Sequence, residues 1–399
     1  MGVPPMLKIC SFTSLYPNAE QPQHGIFVEN RLQQLAASGR IHINVVAPVP
    51  YFPFSAQMFG RYGRYARVPR GEQRHGLEVV HPRYPVLPKV GMDMAPALMH
   101  RGVRRFFERW LSAHPGIQAL DAHYFYPDGV AAAMLAADHN LPLVITARGS
   151  DISEIATFPG PRRRILRAAE QAQAIVTVCD ALKRALIELG VAAEKIHTFR
   201  NGVDLTQFQP VPHEDIDRAF RRDGPLLLSV GHLIERKGHH LAIEALAKIP
   251  GAVLLIAGSG PEEGRLHTLA AQQGVEDRVH FLGQLDPDQL RGYYSAADAL
   301  VLASSREGWA NVLLESMACG TPVVATDIWG TGEVVRAPEA GELIAARHPD
   351  AIADGVTRLL QRGIDPAATR AYAERFSWQE TTDNLVALFT RIAPAARDS

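Results

Sequence analysis

Short apolar runs rich in β-branched residues recur along the whole chain, with amphipathic segments between them. Runs that alternate with helical patterns in this way are typical of parallel strands joined by crossover helices. We therefore predict an α/β protein with two Rossmann-like, doubly wound parallel-sheet domains, one in each half. The runs are LKICSF, INVVAP, LEVVHP, IQALDAHY, LPLVITA and AIVTVC in the first half, and PLLLSVG, AVLLIAG, VHFLG, ALVLAS and PVVAT in the second.

A chain of 399 residues is long enough for two such domains. The rhythm breaks at DLTQFQPVPHEDIDRAFRRDG, where proline and charge increase. We predict domains over 1–204 and 205–375, with a C-terminal helix over 376–399. Ligands of doubly wound sheets bind beyond the carboxyl ends of the strands, so we expect the site in a cleft between the two domains.

Charge and cysteine content restrict the partners and the compartment. The formal net charge of −1 combines +7 over residues 1–210 (23 Lys+Arg, 16 Asp+Glu) with −8 over the remainder (18 and 26). Opposite signs suggest a different partner for each half. Three scattered cysteines and an N-terminus without a basic leader or long apolar run favour a cytoplasmic protein. The chain contains no nucleic-acid-binding motif, so nucleic acid is not an expected partner.

Two cations precede a predicted helix in SVGHLIERKGHHLAIEAL, residues 229–246. Arg236 and Lys237 stand directly before Gly238, and cations beside a helix N-terminus suit a diphosphate. The alternative is a solvated basic loop. The neighbouring His239 and His240 are expected on the helix surface.

Two further loops of the second half bear on nucleotide and metal binding. AGSGPEEGRL lacks the third glycine and the lysine of known phosphate fingerprints, so it indicates either a nucleotide contact or a plain strand-to-helix turn. In LDPDQL, Asp286 or Asp288 is expected to cap a helix rather than to hold a metal. No Cys/His cluster requires a metal either, so we expect no metal cofactor.

The segment EGWANVLLESMACGTP carries two carboxylates on a short predicted helix and the loop before it. Asn311 is expected to cap the helix, and Glu315, one turn later, shares its face. Glu307 and Gly308 lie in the preceding loop. The two carboxylates then flank a helix N-terminus able to bind an anion, unless Glu315 faces water and Glu307 caps a turn.

Polar residues also follow the strands of the first half. His123 comes after one predicted strand, Arg148 and Asp151 after another, and Gly25 precedes a helix. His123 would touch a ligand or plug the end of the sheet. Three stretches of the first half are rich in arginine: 61–76, 100–110 and 160–169. In the second of these, Phe106, Phe107 and Trp110 alternate with the arginines. Such stretches suit binding to an anionic membrane or to an anionic substrate, or form a solvated basic face.

Over nearly its whole length the chain resembles the family 4 retaining glycosyltransferases of the GT-B fold. SREGWANVLLESMACGTPVVAT is similar to the family's E-x7-E block. Earlier in the chain, NGVD, ERKG, AGSGPEEGRL and FLG occur in the family's order. TARGSDI with DAHYFYPDG upstream resembles bacterial enzymes that build surface polysaccharides. The C-terminal helix would then cross back to the first domain.

The resemblance implies roles for individual residues. Glu315 would bind the ribose hydroxyls, and Glu307 would stabilise positive charge on the transferred sugar. Arg236 and Lys237 would neutralise the departing nucleoside diphosphate, and His123 would lie by the reacting face of the sugar. Further donor contacts would come from Gly25, Gly231, Gly258, Leu282, Gly308, Trp309, Ala310, Asn311 and Val312. Arg148 and Asp151 would lie on the acceptor side.

Three departures from the family pattern concern His232, where Arg is common, His24-Gly25, where Gly-Gly is common, and Trp309-Ala310, where Phe-Gly is common. The expected reaction is metal-independent transfer, with retention, from a nucleotide sugar to a saccharide or lipid-linked acceptor, at the inner face of the cytoplasmic membrane. A UDP-sugar is the first expectation and GDP-mannose the second. The rivals are a nucleotide-sugar epimerase, a phosphorylase and a non-catalytic nucleotide-sugar-binding partner; a dehydrogenase would need GxGxxG.

Overall fold

The structure is a computed structural model that describes residues 6–87, 91–220 and 224–393. The chain divides into two compact units. Unit 1 comprises residues 1–200 together with 379–399, and unit 2 comprises residues 201–378. The boundaries indicated by the sequence, at 204 and 375, lie close to these.

Unit 1 is built on an eight-stranded sheet with the order β10-β9-β8-β7-β1-β2-β5-β4, and β3 pairs with β6 in a separate ribbon. Neighbouring strands are parallel except β4 and β5. The strands are β1 Leu7–Phe12, β2 Ile41–Val46, β3 Val49–Pro50, β4 Gly71–Arg74, β5 Leu77–Val80, β6 Arg83–Tyr84, β7 Ala119–His123, β8 Leu143–Ala147, β9 Ala174–Thr177 and β10 Ile196–Thr198.

The C-terminal helix of the chain completes the core of unit 1. Leu385, Leu388 and Phe389 of this helix pack into the cluster that contains Leu32 and Val45. The helices of unit 1 are α1 Ile26–Ala37, α2 Gly60–Arg67, α3 Ala95–Ala113, α4 Val130–His139, α5 Ser150–Ser153, α6 Pro159–Gln171 and α7 Asp180–Glu188, with α16 Trp378–Ile392 beginning at the unit boundary.

Unit 2 is built on a six-stranded parallel sheet with the order β13-β12-β11-β14-β15-β16. Its strands are β11 Leu226–Val230, β12 Val253–Ala257, β13 Val279–Gly283, β14 Ala299–Leu302, β15 Val323–Thr326 and β16 Gly341–Ile344. Its helices are α8 Glu214–Phe220, α9 His239–Leu246, α10 Glu263–Gln272, α11 Pro287–Ala296, α12 Asn311–Ala318, α13 Thr331–Val334, α14 Pro349–Arg362 and α15 Pro366–Ala373.

Each apolar run identified in the sequence contains or overlaps a strand, so the prediction of two parallel-sheet α/β domains is confirmed. The strands that the pattern missed are short or lie at the side of a sheet, where the alternation is weak: β3, β4, β6, β10 and β16. The reversal of strand order beside β11 and β14 places several strand-to-helix loops at one end of the unit 2 sheet, as ligand binding in such folds requires.

Candidate active site

Backbone groups approach closely at the carboxyl ends of β11, β12 and β13. The amide of Gly231 donates to the carbonyl of Ala257 at 3.0 Å, and that of Gly258 donates to the carbonyl of Gly283 at 2.8 Å. A Cβ atom on Gly258 would lie 1.9 Å from the Gly231 oxygen, so only glycine fits there. Two predicted donor-side glycines are therefore neighbours, and the partly buried Leu282 lies next to Gly283.

The predicted cationic pair lies on a 3-10 turn between β11 and α9. Lys237 Nζ donates to Glu307 Oε1 at 2.7 Å. Arg236 Nη1 lies 3.8 Å from the same carboxylate oxygen and donates to the carbonyl of Arg306 at 2.7 Å. The loop after β11 and the loop after β14 thus bring Arg236 and Lys237 close to Glu307.

Glu307 is held on more than one side. Ser304 Oγ also donates to Glu307 Oε1, at 2.8 Å, and only 9% of the Glu307 side chain is exposed. The aliphatic stem of Lys237 lies against Gly231, where a Cβ atom would be 3.5 Å from it. A charge pair this sheltered is screened less by water and salt than a surface pair. The fold itself therefore fixes the position of the carboxylate.

Helix α12 begins at Asn311, and its N-cap residue is Ala310. The prediction that Asn311 caps the helix is wrong. Its side-chain oxygen instead accepts a hydrogen bond at 3.3 Å from the side-chain amide of Asn201. The first amides of a helix have no partner within it, so they favour an anion. Gly308, Asn311 and Val312 are partly exposed around this N-terminus, whereas Trp309 and Ala310 are buried.

Glu315 lies on α12 one turn after Asn311, as predicted. Its Oε2 accepts a hydrogen bond at 3.0 Å from the hydroxyl of Tyr294, a fully buried residue of α11. Burial raises the pKa of Glu315 to about 7, although the Tyr294 hydrogen bond acts in the opposite direction. The two carboxylates of the segment thus differ: one is paired with cations and the other with a phenol.

The prediction that His239 lies on the helix surface is wrong. It is buried, and its Nδ1 lies 2.9 Å from Ser229 Oγ of β11. Burial lowers its pKa to about 4, so the imidazole is neutral at physiological pH. His240 is half-buried. His232 is directed to the carbonyl of Ser259, 2.5 Å from its Nδ1, so Arg236 rather than His232 supplies the second cation near Glu307.

The aspartate of LDPDQL that caps a helix is Asp286, as predicted. It accepts from the Gln289 amide at 2.8 Å, and the Gln289 side chain accepts in return from the Asp286 amide at 3.1 Å. Within residues 6–87, 91–220 and 224–393, no three His, Cys, Asp or Glu side chains are grouped as metal ligands.

In unit 1, Gly25 precedes α1 with φ of 73°. A Cβ atom there would lie 2.3 Å from the carbonyl carbon of Leu15, so glycine is required by a close backbone approach within unit 1. The neighbouring His24 lies with its Nε2 3.1 Å from the carbonyl of Ser14. Gly25 therefore shapes the loop between β1 and α1 at the carboxyl end of the sheet.

His123 ends β7 and is almost fully buried. Its Nε2 lies 3.0 Å from Asp121 Oδ2, and its Nδ1 lies 2.8 Å from Nη2 of Arg148. Burial lowers the pKa of His123 to about 4, against the attraction of Asp121. The imidazole is thus a neutral group in a defined position. The structure brings together His123 and Arg148, which the sequence had placed on separate loops.

Asp151 is a positioning residue of the loop that carries Arg148. Its carboxylate accepts from the backbone amides of Phe125, Arg148 and Gly149 at 2.8, 3.1 and 2.7 Å. Burial raises its pKa, and the amide donors act against this shift. Its oxygens are therefore committed to backbone, and it fixes where the Arg148 side chain starts.

The expectation of a surface of interleaved basic and aromatic residues over 100–110 is wrong for two of its three aromatic residues, since only Phe106 is partly exposed. Phe107 and Trp110 of α3 are buried, and their rings pack at 5.7 Å. The arginines of this helix face outward, because its apolar stripe packs inward. Exposed aromatics occur instead before α2, at Tyr51 and Phe54. In the described ranges, no helix is long and apolar enough to cross a membrane.

Sequence reasoning missed several side chains that organise the site. Tyr294 and Ser304 lie in segments without a distinctive pattern, and their contacts with Glu315 and Glu307 depend on tertiary packing. Asn201 begins the NGVD segment noted in the sequence. Its contact with α12 could not be predicted from the spacing of residues along the chain. Arg31, buried on α1, looks in the sequence like an ordinary surface residue of an amphipathic helix, so its pattern carried no signal.

Comparison with known proteins assigns the chain to a family. A model described as Glycosyl transferases group 1 matches residues 212–376, and one described as Glycosyltransferase Family 4 matches residues 25–207. A Bacillus subtilis protein named as a teichuronic acid biosynthesis glycosyltransferase is 29% identical, over 88% of this chain and 89% of its own. A D-inositol 3-phosphate glycosyltransferase of Xylanimonas cellulosilytica is 31% identical, over 67% of this chain and 70% of its own.

The fold agrees with these matches. The Anabaena protein Alr3699/HepE, solved in complex with UDP and glucose, superposes with a TM-score of 0.75 and 20% identity, over 97% of this chain and 100% of that chain. The chain therefore belongs to the group 1 and family 4 glycosyltransferases and has their two-domain GT-B fold.

Proposed function

We propose that this glycosyltransferase moves a sugar, with retention of anomeric configuration, from a UDP-sugar to a saccharide or lipid-linked acceptor of a bacterial surface polysaccharide. The observation that carries the donor side of the proposal is the contact of Lys237 and Arg236 with Glu307 beside the N-terminus of α12. The UDP and glucose bound to the Anabaena protein and the teichuronic acid role named for the Bacillus protein support the donor and the acceptor class.

Each group of this cluster has a task in breaking a glycosyl–phosphate bond. As the bond between the anomeric carbon and the phosphate oxygen breaks, its electron pair moves to the leaving diphosphate. Lys237, Arg236 and the first amides of α12 stabilise that negative charge. Glu307 stabilises the positive charge that develops on the sugar ring. Cations and amides together then perform the task that a divalent metal performs elsewhere, so we propose a metal-independent reaction.

Retention follows from the same arrangement. Glu307 Oε1 already accepts from Lys237 and Ser304, which makes this oxygen a poor nucleophile but a well-oriented charge. The acceptor hydroxyl then attacks the face from which the diphosphate leaves. Its oxygen bonds to the anomeric carbon, and its proton passes to the leaving phosphate oxygen. Glu315 holds the ribose of the donor, and Arg148 serves the acceptor.

The decisive experiment is a thermal-shift screen with UDP-, GDP- and ADP-sugars, followed by transfer assays with the donor that binds. A ligand at about 100 times its dissociation constant stabilises a protein by about 2.7 kcal/mol, so binding is readily detected. We expect the largest shift from a UDP-sugar, transfer unaffected by EDTA, and a retained anomeric configuration by NMR. Stabilisation by GDP-mannose alone would identify GDP-mannose, rather than a UDP-sugar, as the donor. Conversion of the nucleotide sugar without an acceptor would instead indicate an epimerase, and no binding at all would overturn the proposal.

We further propose that unit 1 contacts an anionic membrane at the inner face of the cytoplasmic membrane. The surface consists of the exposed apolar residues Tyr51, Phe54 and Met58, which are 56, 57 and 85% exposed, and the arginines of α2. Those arginines, at positions 61, 64 and 67, are all exposed. Aromatic and apolar side chains beside arginines suit the interface of a bilayer that contains anionic lipid.

A further inference from the structure

A patch of buried polar side chains lies on one face of the unit 1 sheet, at the carboxyl ends of three neighbouring strands. Ser11 of β1 pairs with Asp121 of β7, and His123 of β7 pairs with Thr146 of β8. Paired residues of parallel strands point to the same face, and Asp121 and His123 are two residues apart, so all four share one face. All four are buried.

Two arginines reach this patch from outside the strands. Arg31 of α1 is only 1% exposed, and none of its three guanidinium nitrogens has a hydrogen-bond partner among the described residues. Arg148 contacts His123 through Nη2, while its Nε and Nη1 are buried without a partner in the same described ranges. The Arg148 guanidinium also lies over the ring of Phe27, at 5.4 Å. Phe27 precedes Arg31 by one turn of α1, which places both guanidinium groups on the same side of that helix.

Many buried polar atoms of this cluster have no hydrogen-bond partner, and most of these atoms are donors. His123 Nε2 lies 3.0 Å from Asp121 Oδ2. Apart from that atom, eight buried polar atoms of the cluster have no hydrogen-bond partner within the part of the chain that the structure describes: one each in Ser11, Asp121 and Thr146, three in Arg31 and two in Arg148. Unpartnered buried polar groups are rare, because each costs about 1–3 kcal/mol and more when charged. Five of the eight are guanidinium nitrogens, and these can only donate. Unpartnered donors therefore outnumber unpartnered acceptors in the cluster.

Two carboxylates lie near these arginines without satisfying their unpartnered N–H groups. Asp121 attracts both arginines, and the neighbouring His123 is neutral because burial lowers its pKa to about 4. A second carboxylate, Asp151, also attracts Arg148, but its oxygens accept hydrogen bonds from backbone amides. Burial lowers the pKa of Arg31 only to about 10, and burial together with Arg31 lowers the pKa of Arg148. Buried charges are tolerated when they are paired and hydrogen-bonded, so two guanidinium groups with five unpartnered nitrogens call for a further acceptor, which an anion would supply.

We propose that Arg31 and Arg148 bind an oxyanion carried by the acceptor, either the carboxylate of a uronic acid or a phosphate ester. The proposal rests on the glycosyltransferase function, and on the assignment of unit 1 to the acceptor. Guanidinium groups match both oxyanions, because their planar N–H groups form paired hydrogen bonds. Ser11 and Thr146 supply hydroxyl donors beside them. Arg148 is the partly exposed member of the cluster, so a ligand can reach it from the surface of unit 1.

Binding of three sugars of similar shape tests this site directly. D-glucuronate carries a carboxylate, D-glucose 6-phosphate carries a phosphate ester, and D-glucose carries neither. We expect isothermal titration to show that one of the two anions binds at least about tenfold more tightly than glucose, as paired charge-assisted hydrogen bonds allow. The anion that binds identifies the source of the oxyanion. Equal affinity for all three sugars, or no binding of either anion, would overturn the proposal.

Variants separate a ligand site from a structural ion pair. We expect Arg148→Gln and Arg31→Met to weaken binding of the preferred anion by about tenfold or more, with Arg31→Lys in between because it keeps the charge but not the fork. Arg105→Gln, which removes an exposed arginine of α3, is the matched control. If Arg31 serves only to neutralise Asp121, Arg31→Met will lower the melting temperature and leave the anion affinity unchanged, which contradicts the proposal.

The test also distinguishes failure here from failure of the donor assignment. Titration with UDP in the absence of sugar reports on unit 2, and titration with the anions in the absence of nucleotide reports on unit 1. Loss of anion preference with intact UDP binding removes this site alone. Anion preference without any nucleotide binding removes the donor assignment and leaves the oxyanion site in place.

Discussion

Lys237 Nζ donates a hydrogen bond to Glu307 Oε1 at 2.7 Å, across 70 residues of sequence. The contact joins the loop after β11 to the loop after β14, and it pairs the cation assigned to the leaving diphosphate with the carboxylate assigned to the sugar. In the protein without a donor, the positive charge of Lys237 and the negative charge of Glu307 therefore neutralise each other. A donor that places its diphosphate by Lys237 and its sugar by Glu307 would use both charges without moving either far.

Lys237→Ala should lower turnover by about 100-fold or more, because a preorganised donor to a developing negative charge contributes on this scale. Steady-state transfer from the preferred nucleotide sugar measures the effect. Lys248→Ala provides the control, since Lys248 belongs to the same unit but forms an exposed pair with Asp350. Turnover near that of the parent chain would rule out a catalytic role for Lys237.

A double-mutant cycle on Lys237→Ala and Glu307→Gln should give a coupling energy of about 1–3 kcal/mol in the free energy of unfolding, because the side chains are mostly buried and each is left without its partner in a single variant. The double variant should thus be more stable than the sum of the single changes predicts. Denaturant unfolding followed by circular dichroism measures the four proteins. Additive effects would show that the contact contributes nothing to stability.

The affinity for UDP-glucose should fall as the pH decreases through about 7, where Glu315 titrates in the folded chain. In the proposed role, the ionised form would accept hydrogen bonds from two ribose hydroxyls, whereas the protonated form would lose an acceptor. With a pKa of about 7, the ionised fraction drops about tenfold from pH 8 to pH 6, so the dissociation constant rises by up to that factor. Both phosphates of this donor are esterified and stay ionised. Titration calorimetry should show a flatter profile for Glu315→Gln; an identical slope would exclude Glu315 as the cause.

Gly258→Ala should destabilise unit 2 by about 2 kcal/mol or more, because φ is 147° and the new Cβ atom would lie 1.9 Å from the Gly231 oxygen. Gly264→Ala is the opposite case. Gly264 lies in α10, and a Cβ atom there would meet no atom of the described residues within 4 Å, so alanine should stabilise by up to about 1 kcal/mol. Melting temperatures of the two variants test the contrast. Equal effects would mean that the close approach of the two loops relaxes at little cost.

Sedimentation with liposomes should depend on the exposed apolar side chains of unit 1. Phe54→Ser combined with Met58→Ser should reduce the fraction of protein bound to vesicles that contain anionic lipid, because both side chains are more than half exposed. Arg105→Gln tests whether the arginines of α3 contribute. Binding that ignores both anionic lipid and the double substitution would contradict membrane contact through this surface.

The sequence by itself determined the two parallel sheets, because apolar runs and the segments between them repeat the period of strand and helix regardless of tertiary context. It also grouped Arg236, Lys237, Glu307 and Glu315 by their positions after strands and at a helix start. These inferences depend on local spacing, which a single sequence contains. The Asp286 cap was predictable for the same reason.

Only the tertiary structure decided which atoms meet. Tyr294 reaches Glu315 from another helix, Asn201 takes the side chain that was expected to cap α12, and His239 turns inward against β11. Arg31 illustrates the difference best: on α1 it is one polar residue of an amphipathic pattern, and in the fold it is a buried cation whose charge acts on Arg148. Burial and charge pairing arise from segments distant in sequence, so the energies that set these pKa values and contacts exist only once the chain has folded.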